Sequence, residues 1–137
     1  MDLHSPDFCR TLVEETADAV IYSDADGLIR FWRKGAERIF GFSKAGAIGQ
    51  SLDISVPENL RQRHSDGYAK RMRYGDGDAL SAPAMRKHGT RLSIEFTILP
   101  FHDKAGRIAG IAAILRDVTK RFEEMKTLRR QAHHATF

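Results

Sequence analysis

The segment from Ala19 to Trp32 reads AVIYSDADGLIRFW. Its two ends are rich in β-branched and aromatic residues, which favour strands. Between them, the stretch from Asp24 to Gly27 ends in an Asp-Gly pair, which supplies the positive φ that a tight turn requires. The segment therefore predicts a β-hairpin.

Three further strands are predicted towards the C-terminus. Residues 92–98 alternate between apolar and polar side chains, which is typical of a strand with one buried face. Residues 108–115 are apolar on both faces, which indicates a strand covered on both sides, either by the N-terminal helix or by a partner subunit. A weaker strand is expected near residues 79–85, and glycines mark the turns between these strands.

The remaining segments predict helices. The Ser5-Pro6 pair is typical of an N-cap followed by a first helical position. Residues 35–42 predict a short helix that ends at glycine, and residues 57–74 predict a longer helix opened by proline. A helical tail follows from residue 118. Five antiparallel strands interrupted by helices make an α+β fold.

The composition fits one globular domain of 137 residues with a net charge of +4. Residues 118–137 contain five basic and two acidic residues, so most of the net charge lies in a solvated helical tail, and no nucleic-acid partner is expected. No apolar run approaches the roughly 18 residues of a membrane span, so no membrane partner is expected. The single cysteine, Cys9, excludes an intramolecular disulfide and a zinc site with several thiolates. We expect a cytoplasmic protein.

Several short motifs occur together along most of the chain. They are SDADGLI at 23–29, FW at 31–32, GAERIFGFS at 35–43 with IG at 48–49, RKHG at 86–89 and RDVT at 116–119. In this order and spacing they resemble the PAS family from about Thr16 to Thr119. The resemblance implies a five-stranded antiparallel sheet, with short helices and one longer helix over one face, and a sensory, non-enzymatic role.

The same resemblance implies a division of the chain into three parts. Residues 1–18 are expected to form an N-terminal helical cap, residues 19–117 the PAS core, and residues 118–137 a basic exit helix.

The predicted long helix carries the candidate binding site. Leu60, His64, Tyr68 and Met72 recur at i+4 and therefore share one face, which is expected to point at the sheet. Haem-binding PAS domains use a histidine of this helix as the proximal iron ligand. The resemblance therefore makes His64 a candidate iron ligand and haem b a candidate cofactor, while a hydrogen-bonded, half-buried core histidine is the alternative.

A matching surface is predicted on the last strand. Gly110 and Ala112 are small and alternate with Ile114, so a flat ligand is expected to lie against this face, with Arg116 as a polar donor. Flavin photochemistry through a cysteine is not expected, because Cys9 lies in the first helix. Cys9 is predicted to be a small buried side chain.

Asp117 and Thr119 resemble the Asp-x-Thr junction through which PAS domains couple the sheet to the exit helix. Asp117 is expected to pair with an arginine of the sheet or of a loop, and Thr119 to anchor the start of the helix. The resemblance assigns signal transmission to these two residues.

No nucleophile motif, phosphate-binding loop or zinc-protease motif is present, so no catalytic residue is predicted. The apolar strand at 108–115 and the spacing of Val118, Phe122 and Met125 favour a homodimer. A downstream signalling protein or output domain is expected to receive the signal. Two alternatives are a ligand-free dimerisation or protein-interaction module and, ranked last, a haem-dependent peroxidase-like enzyme.

Overall fold

Five antiparallel strands form one open sheet at the centre of the computed structural model. The strands are β1 (Ala19–Asp24), β2 (Ile29–Trp32), β3 (Leu80–Met85), β4 (Arg91–His102) and β5 (Ile108–Asp117). Their order across the sheet is β2-β1-β5-β4-β3. The structure describes residues 2–74 and 80–135, and the side chains of all of these except 68–74 and 133–135. The predicted α+β class is confirmed.

The predicted hairpin joins β1 and β2. Gly27 adopts a φ of 79°, which the turn requires. The Asp24 carboxylate stabilises the turn, because its Oδ1 accepts hydrogen bonds from the backbone N–H of Asp26 at 2.9 Å and of Leu28 at 3.0 Å. Its Oδ2 pairs with Arg30 Nε at 2.8 Å. Local side-chain chemistry thus accounts for the turn.

Five α-helices flank the sheet. They are α1 (Pro6–Glu15), α2 (Lys34–Phe40), α3 (Lys44–Ala47), α4 (Arg61–Tyr74) and α5 (Thr119–Ala135), with 3₁₀ turns at Leu52–Ser55 and Glu58–Leu60. Ser5 caps α1 as predicted, accepting a hydrogen bond from the N–H of Phe8 at 3.1 Å. The prediction that Pro57 opens the long helix is wrong. Pro57 is buried and precedes the second 3₁₀ turn, and α4 begins only after that turn, at Arg61. None of the helices in residues 2–74 and 80–135 is long and apolar enough to cross a membrane.

The packed core occupies part of one face of the sheet, which we call the inner face. Trp32 and Phe40 are fully buried there, with ring centroids 5.6 Å apart, and Trp32 Nε1 donates a hydrogen bond to the Phe42 carbonyl at 2.9 Å. Helices α2 and α3 supply Ala36, Ile39, Phe40 and Ala47 to this core. The remainder of the inner face lies beneath α4.

The opposite, outer face is only partly covered. The Tyr22 ring lies over Gly110 and contacts Phe101 edge-on, with centroids 5.5 Å apart. Leu99, Phe101 and Ile114 are 49%, 50% and 37% exposed. Helix α1 contacts α2 and has no buried residue, so of the two predicted covers for β5, the N-terminal helix and a partner subunit, the helix finds no support in these contacts.

Candidate ligand-binding site

A cavity of about 560 Å³ lies between α4, the first 3₁₀ turn and the inner face of the sheet. This volume is within the range of small-molecule sites in proteins. Most of the wall is apolar. The lining residues are Ile21, Ser23, Leu52, Ser55, Val56, Leu60, Arg63, His64, Gly67, Leu80, Ser81, Ala82, Pro83, Ala84, Ile94, Phe96, Ile98, Ile111, Ala113 and Leu115.

Strand register determines which sheet residues reach the cavity. Phe96 lies opposite Leu115 and Ile98 opposite Ala113, and the side chains of all four face inward. Successive residues of a strand point to opposite faces, so Ile111 also belongs to the wall. The small Ala113 faces this space and helps to keep it open.

The candidate residues predicted on β5 lie on the wrong face for this cavity. Gly110, Ala112, Ile114 and Arg116 point to the outer face, and none of them lines the cavity. Gly110 makes room for Tyr22 instead of a ligand, because a Cβ there would overlap Tyr22 Oη and lie 2.6 Å from the carbonyl oxygen of Ser23.

Arg116 has a structural partner outside the cavity. Its Nη2 lies 3.3 Å from Asp18 Oδ2, and this hydrogen bond raises the pKa of the Arg116 guanidinium further. The side chain therefore joins β5 to the segment that precedes β1.

Helix α4 and the turn before it place two of the predicted residues on the wall, Leu60 and His64. The His64 side chain is 36% exposed, and its Nδ1 lies 3.6 Å from Asp53 Oδ1. Burial lowers the pKa of His64, while the charge and hydrogen bonding of Asp53 act in the opposite direction. His64 is therefore largely neutral at pH 7, the form in which an imidazole can bind a metal.

The other two members of the predicted helical stripe are Tyr68 and Met72. Their backbone belongs to α4, but their side chains lie outside the described part of the structure.

Two residues of α4 that the sequence reasoning missed also line the cavity, Arg63 and Gly67. Among the described residues, no atom lies within 4 Å of a Cβ placed on Gly67. Glycine inside a helix lowers helix stability by about 1 kcal/mol relative to alanine. A glycine in the middle of a predicted helix is therefore a sequence signal that could identify this position as functional. Arg63 carried no such signal, because an arginine on a helix is usually a solvated surface residue.

Asp117 and Thr119 form a hydrogen-bonded junction at the start of α5. Asp117 Oδ1 accepts from the backbone N–H of Thr119 at 2.9 Å and from its hydroxyl at 2.6 Å. Thr119 Oγ1 in turn accepts from the N–H of Ser93 at 2.9 Å. Asp117 Oδ2 pairs with Arg86 Nη2 at 3.0 Å. The junction therefore ties β3, β4 and β5 to α5.

The cysteine lies away from the cavity. Cys9 is exposed on α1, so the prediction that it is buried is wrong. Among the described residues there is no cluster of three or more His, Cys, Asp or Glu side chains that could hold a metal ion by itself.

Two bacterial proteins have similar sequences. An uncharacterized protein of Azorhizobium caulinodans is 27% identical over 128 residues, which cover 90% of this chain and 17% of the relative. The sensor protein FixL of Bradyrhizobium diazoefficiens is 42% identical over 64 residues, which cover 47% of this chain and 12% of FixL. The chain thus spans less than a fifth of the length of either relative.

Solved PAS domains share the fold. The PAS domain of a Colwellia psychrerythraea protein superposes with a TM-score of 0.77 at 24% identity, covering 83% of this chain and 97% of that domain. The PAS domain of the Cronobacter turicensis quorum-sensing receptor RpfR, solved in complex with C12:0, gives a TM-score of 0.65 at 16% identity, covering 78% and 99%. The sequence model of the PAS fold matches residues 7–118. The chain therefore belongs to the PAS family.

Proposed function

We propose that this PAS domain is a sensor that holds a small, largely apolar molecule between α4 and the sheet and passes its presence to α5. The observation that carries the proposal is the cavity of about 560 Å³ with mostly apolar walls. A mostly apolar cavity of this size suits a small apolar molecule, which would bury apolar surface there. The RpfR domain in complex with C12:0 offers a precedent for an apolar ligand in this fold.

The route of the signal follows two strands out of the cavity. Ala84 and Leu115 line the cavity. Asp117 lies two residues further along β5, and Arg86 directly follows the last residue of β3. The ion pair between them contacts the cap of α5 through Thr119. A ligand that moves β3 relative to β5 would therefore change how α5 is held. In this proposal residues 19–117 sense, and residues 118–137 carry the output.

The test combines native mass spectrometry of the purified protein with a thermal-shift screen of small apolar molecules. We expect either a co-purified molecule or a ligand that raises Tm, and Gly67→Leu should abolish both because the new side chain would occupy the cavity. Gly46→Leu is the matched control, since Gly46 lies on α3 and does not line the cavity. A protein without any bound molecule and with a Tm that no compound changes would instead favour the ligand-free interaction module.

Haem is a second candidate ligand, favoured by the position of His64. One imidazole on an apolar wall, with a carboxylate 3.6 Å from its Nδ1, is the kind of environment that orients an iron-ligating histidine. His64 would hold the iron, and when bound the haem would supply a centre that takes a diatomic gas. The apolar residues of β4 and β5 would contact the macrocycle.

The absorption spectrum with and without added hemin tests this candidate. A Soret band that His64→Ala shifts or removes, and that His102→Ala leaves unchanged, would support haem binding. His102 is the control because it is exposed at the end of β4. A spectrum of free hemin in all three proteins would exclude haem. Turnover with peroxide would indicate the peroxidase-like enzyme, but no specific observation favours that function.

We further propose that the domain acts as a homodimer and signals to an output domain or a downstream protein. Phe122 and Met125 of α5 are 45% and 46% exposed, and the outer face of the sheet exposes Leu99 and Phe101 to about the same extent. Exposed apolar surface of this kind is typical of protein interfaces. Sedimentation equilibrium at tens of micromolar should give a dimer that Met125→Glu weakens, and a monomer would contradict the proposal. A cytoplasmic location stays a prediction.

A further inference from the structure

We infer that the ligand is an amphipathic anion whose negatively charged head group lies against Arg63 and whose apolar part fills the cavity. The inference rests on the proposed function and adds the chemical class of the ligand. It depends on where charge is found around the cavity.

Arg63 provides the charge at the cavity. Among the described residues that line it, the other polar side chains are three serines and His64, so Arg63 carries the only fixed charge. Arg63 is exposed and also belongs to the wall, which places it where the cavity meets solvent. A cation at the mouth of an apolar cavity matches a ligand with a charged end and an apolar body.

Among the residues that the structure describes, Arg63 has no partner that neutralises its charge. Within residues 2–74 and 80–135 it forms no ion pair and no side-chain hydrogen bond, whereas Arg30, Arg86, Arg116 and Arg121 each pair with a carboxylate. A guanidinium prefers a bidentate contact with an anion such as a carboxylate. The two acidic residues in this region have other partners, because Asp53 lies 3.6 Å from His64 Nδ1 and Asp66 accepts a hydrogen bond from Gln62 Nε2 at 3.0 Å.

The whole of α4 is electropositive. Residues 61–74 contain five basic residues and one acidic residue, a net charge of +4. The tail at 118–137 adds +3, and all other residues together carry −3 at pH 7. A local excess of one sign of charge raises the concentration of oppositely charged ligands and their rate of binding. The helix that covers the cavity is therefore also the element that attracts anions.

His64 does not compete for this role. Burial lowers its pKa, so at pH 7 its ring is largely neutral and is a hydrogen-bonding group of the cavity wall. The affinity for an anionic head group should then depend on Arg63 much more than on the protonation of His64.

The experiment compares two probes that differ only in the head group, dodecanoate and dodecanol. Binding is measured by isothermal titration to protein freed of bound lipid, with both probes below their aggregation limits. We expect dodecanoate to bind at least about tenfold more tightly than dodecanol, and Arg63→Gln to remove about that factor for dodecanoate only, since a charge-assisted hydrogen bond contributes about 1.5 kcal/mol or more. Arg63→Lys should restore part of the loss.

Arg38→Gln is the matched control, because it removes the same charge from α2, where the side chain is exposed and does not line the cavity. Equal binding of the two probes, or equal losses for Arg63→Gln and Arg38→Gln, would overturn the inference and leave the cavity proposal standing. Failure of both probes to bind, in a protein that also carries no molecule when purified, would overturn the proposed function itself.

Discussion

Arg86 Nη2 donates a hydrogen bond to Asp117 Oδ2 at 3.0 Å and so joins the end of β3 to the end of β5 across β4. The two side chains are 41% and 28% exposed. Asp117 is at the same time bonded to Thr119 in the first turn of α5. A single carboxylate thus links the strands that line the cavity to the helix that leaves the domain.

Removal of this ion pair should loosen the start of α5. The partial exposure of both side chains limits the coupling energy between Arg86→Gln and Asp117→Asn to about 1 kcal/mol, measured by a double-mutant cycle in urea. The pair Arg121–Glu95, which is more exposed, is the control and should give less than about 0.5 kcal/mol. A coupling no larger than that of the control would contradict a special role for Arg86.

Thr119→Val should destabilise the protein by about 1 kcal/mol, because the hydroxyl both donates to Asp117 and accepts from the N–H of Ser93. Hydrogen exchange should accelerate at Ser93 and in the first turn of α5. Thr127→Val is the control, since Thr127 bonds only to the carbonyl of Glu123 within the same helix. Equal effects of the two substitutions would argue against the junction.

Gly67→Ala should raise the free energy of unfolding by about 1 kcal/mol, because alanine favours a helix more than glycine does and its Cβ would meet no atom of the described residues within 4 Å. The methyl group is too small to fill a cavity of about 560 Å³, so ligand binding should change little. Urea titration measures the gain. A loss of stability would show that the backbone at Gly67 needs glycine for another reason.

His64 should make the protein less stable as the pH falls below 6.5. Because burial lowers the pKa of His64 in the folded state, the unfolded chain binds more protons in this range, and folding is weakened by protonation. His64→Gln should flatten this part of the stability–pH curve. The His64 pKa, followed by NMR, should fall further in Asp53→Asn, which removes the opposing charge, and a wild-type pKa above 6.5 would contradict the structure.

Gly110→Ala should destabilise the protein by about 2 kcal/mol, as is usual when an added methyl group overlaps its neighbours. Its Cβ would collide with Tyr22 and the backbone of Ser23 on the outer face of the sheet. Ligand affinity should stay the same, because Gly110 does not line the cavity. A loss of ligand affinity without a change in stability would show that Gly110 belongs to the binding site after all.

Much of the fold could be predicted from local chemistry. The Asp24–Gly27 turn, the Ser5 cap and the alternation along β4 depend on neighbouring residues, and each is confirmed. The helical spacing also placed Leu60 and His64 on one side of the chain, and both line the cavity. These features can be predicted because a strand places residues i and i+2 on one face, and a helix places residues i and i+4 on one face.

Which side chains of β5 face the cavity depended on tertiary structure. A strand that is apolar on both sides carries no local information on which side meets the cavity, and the prediction that Gly110 and Ala112 line it is therefore wrong. Pairing with β1 and β4 fixes that choice, because a strand's neighbours determine its register and register determines which face each side chain takes. The sequence alone therefore determined the elements and their turns, whereas the packing of the sheet under α4 decided that Arg63, Gly67 and Ala113 share one cavity.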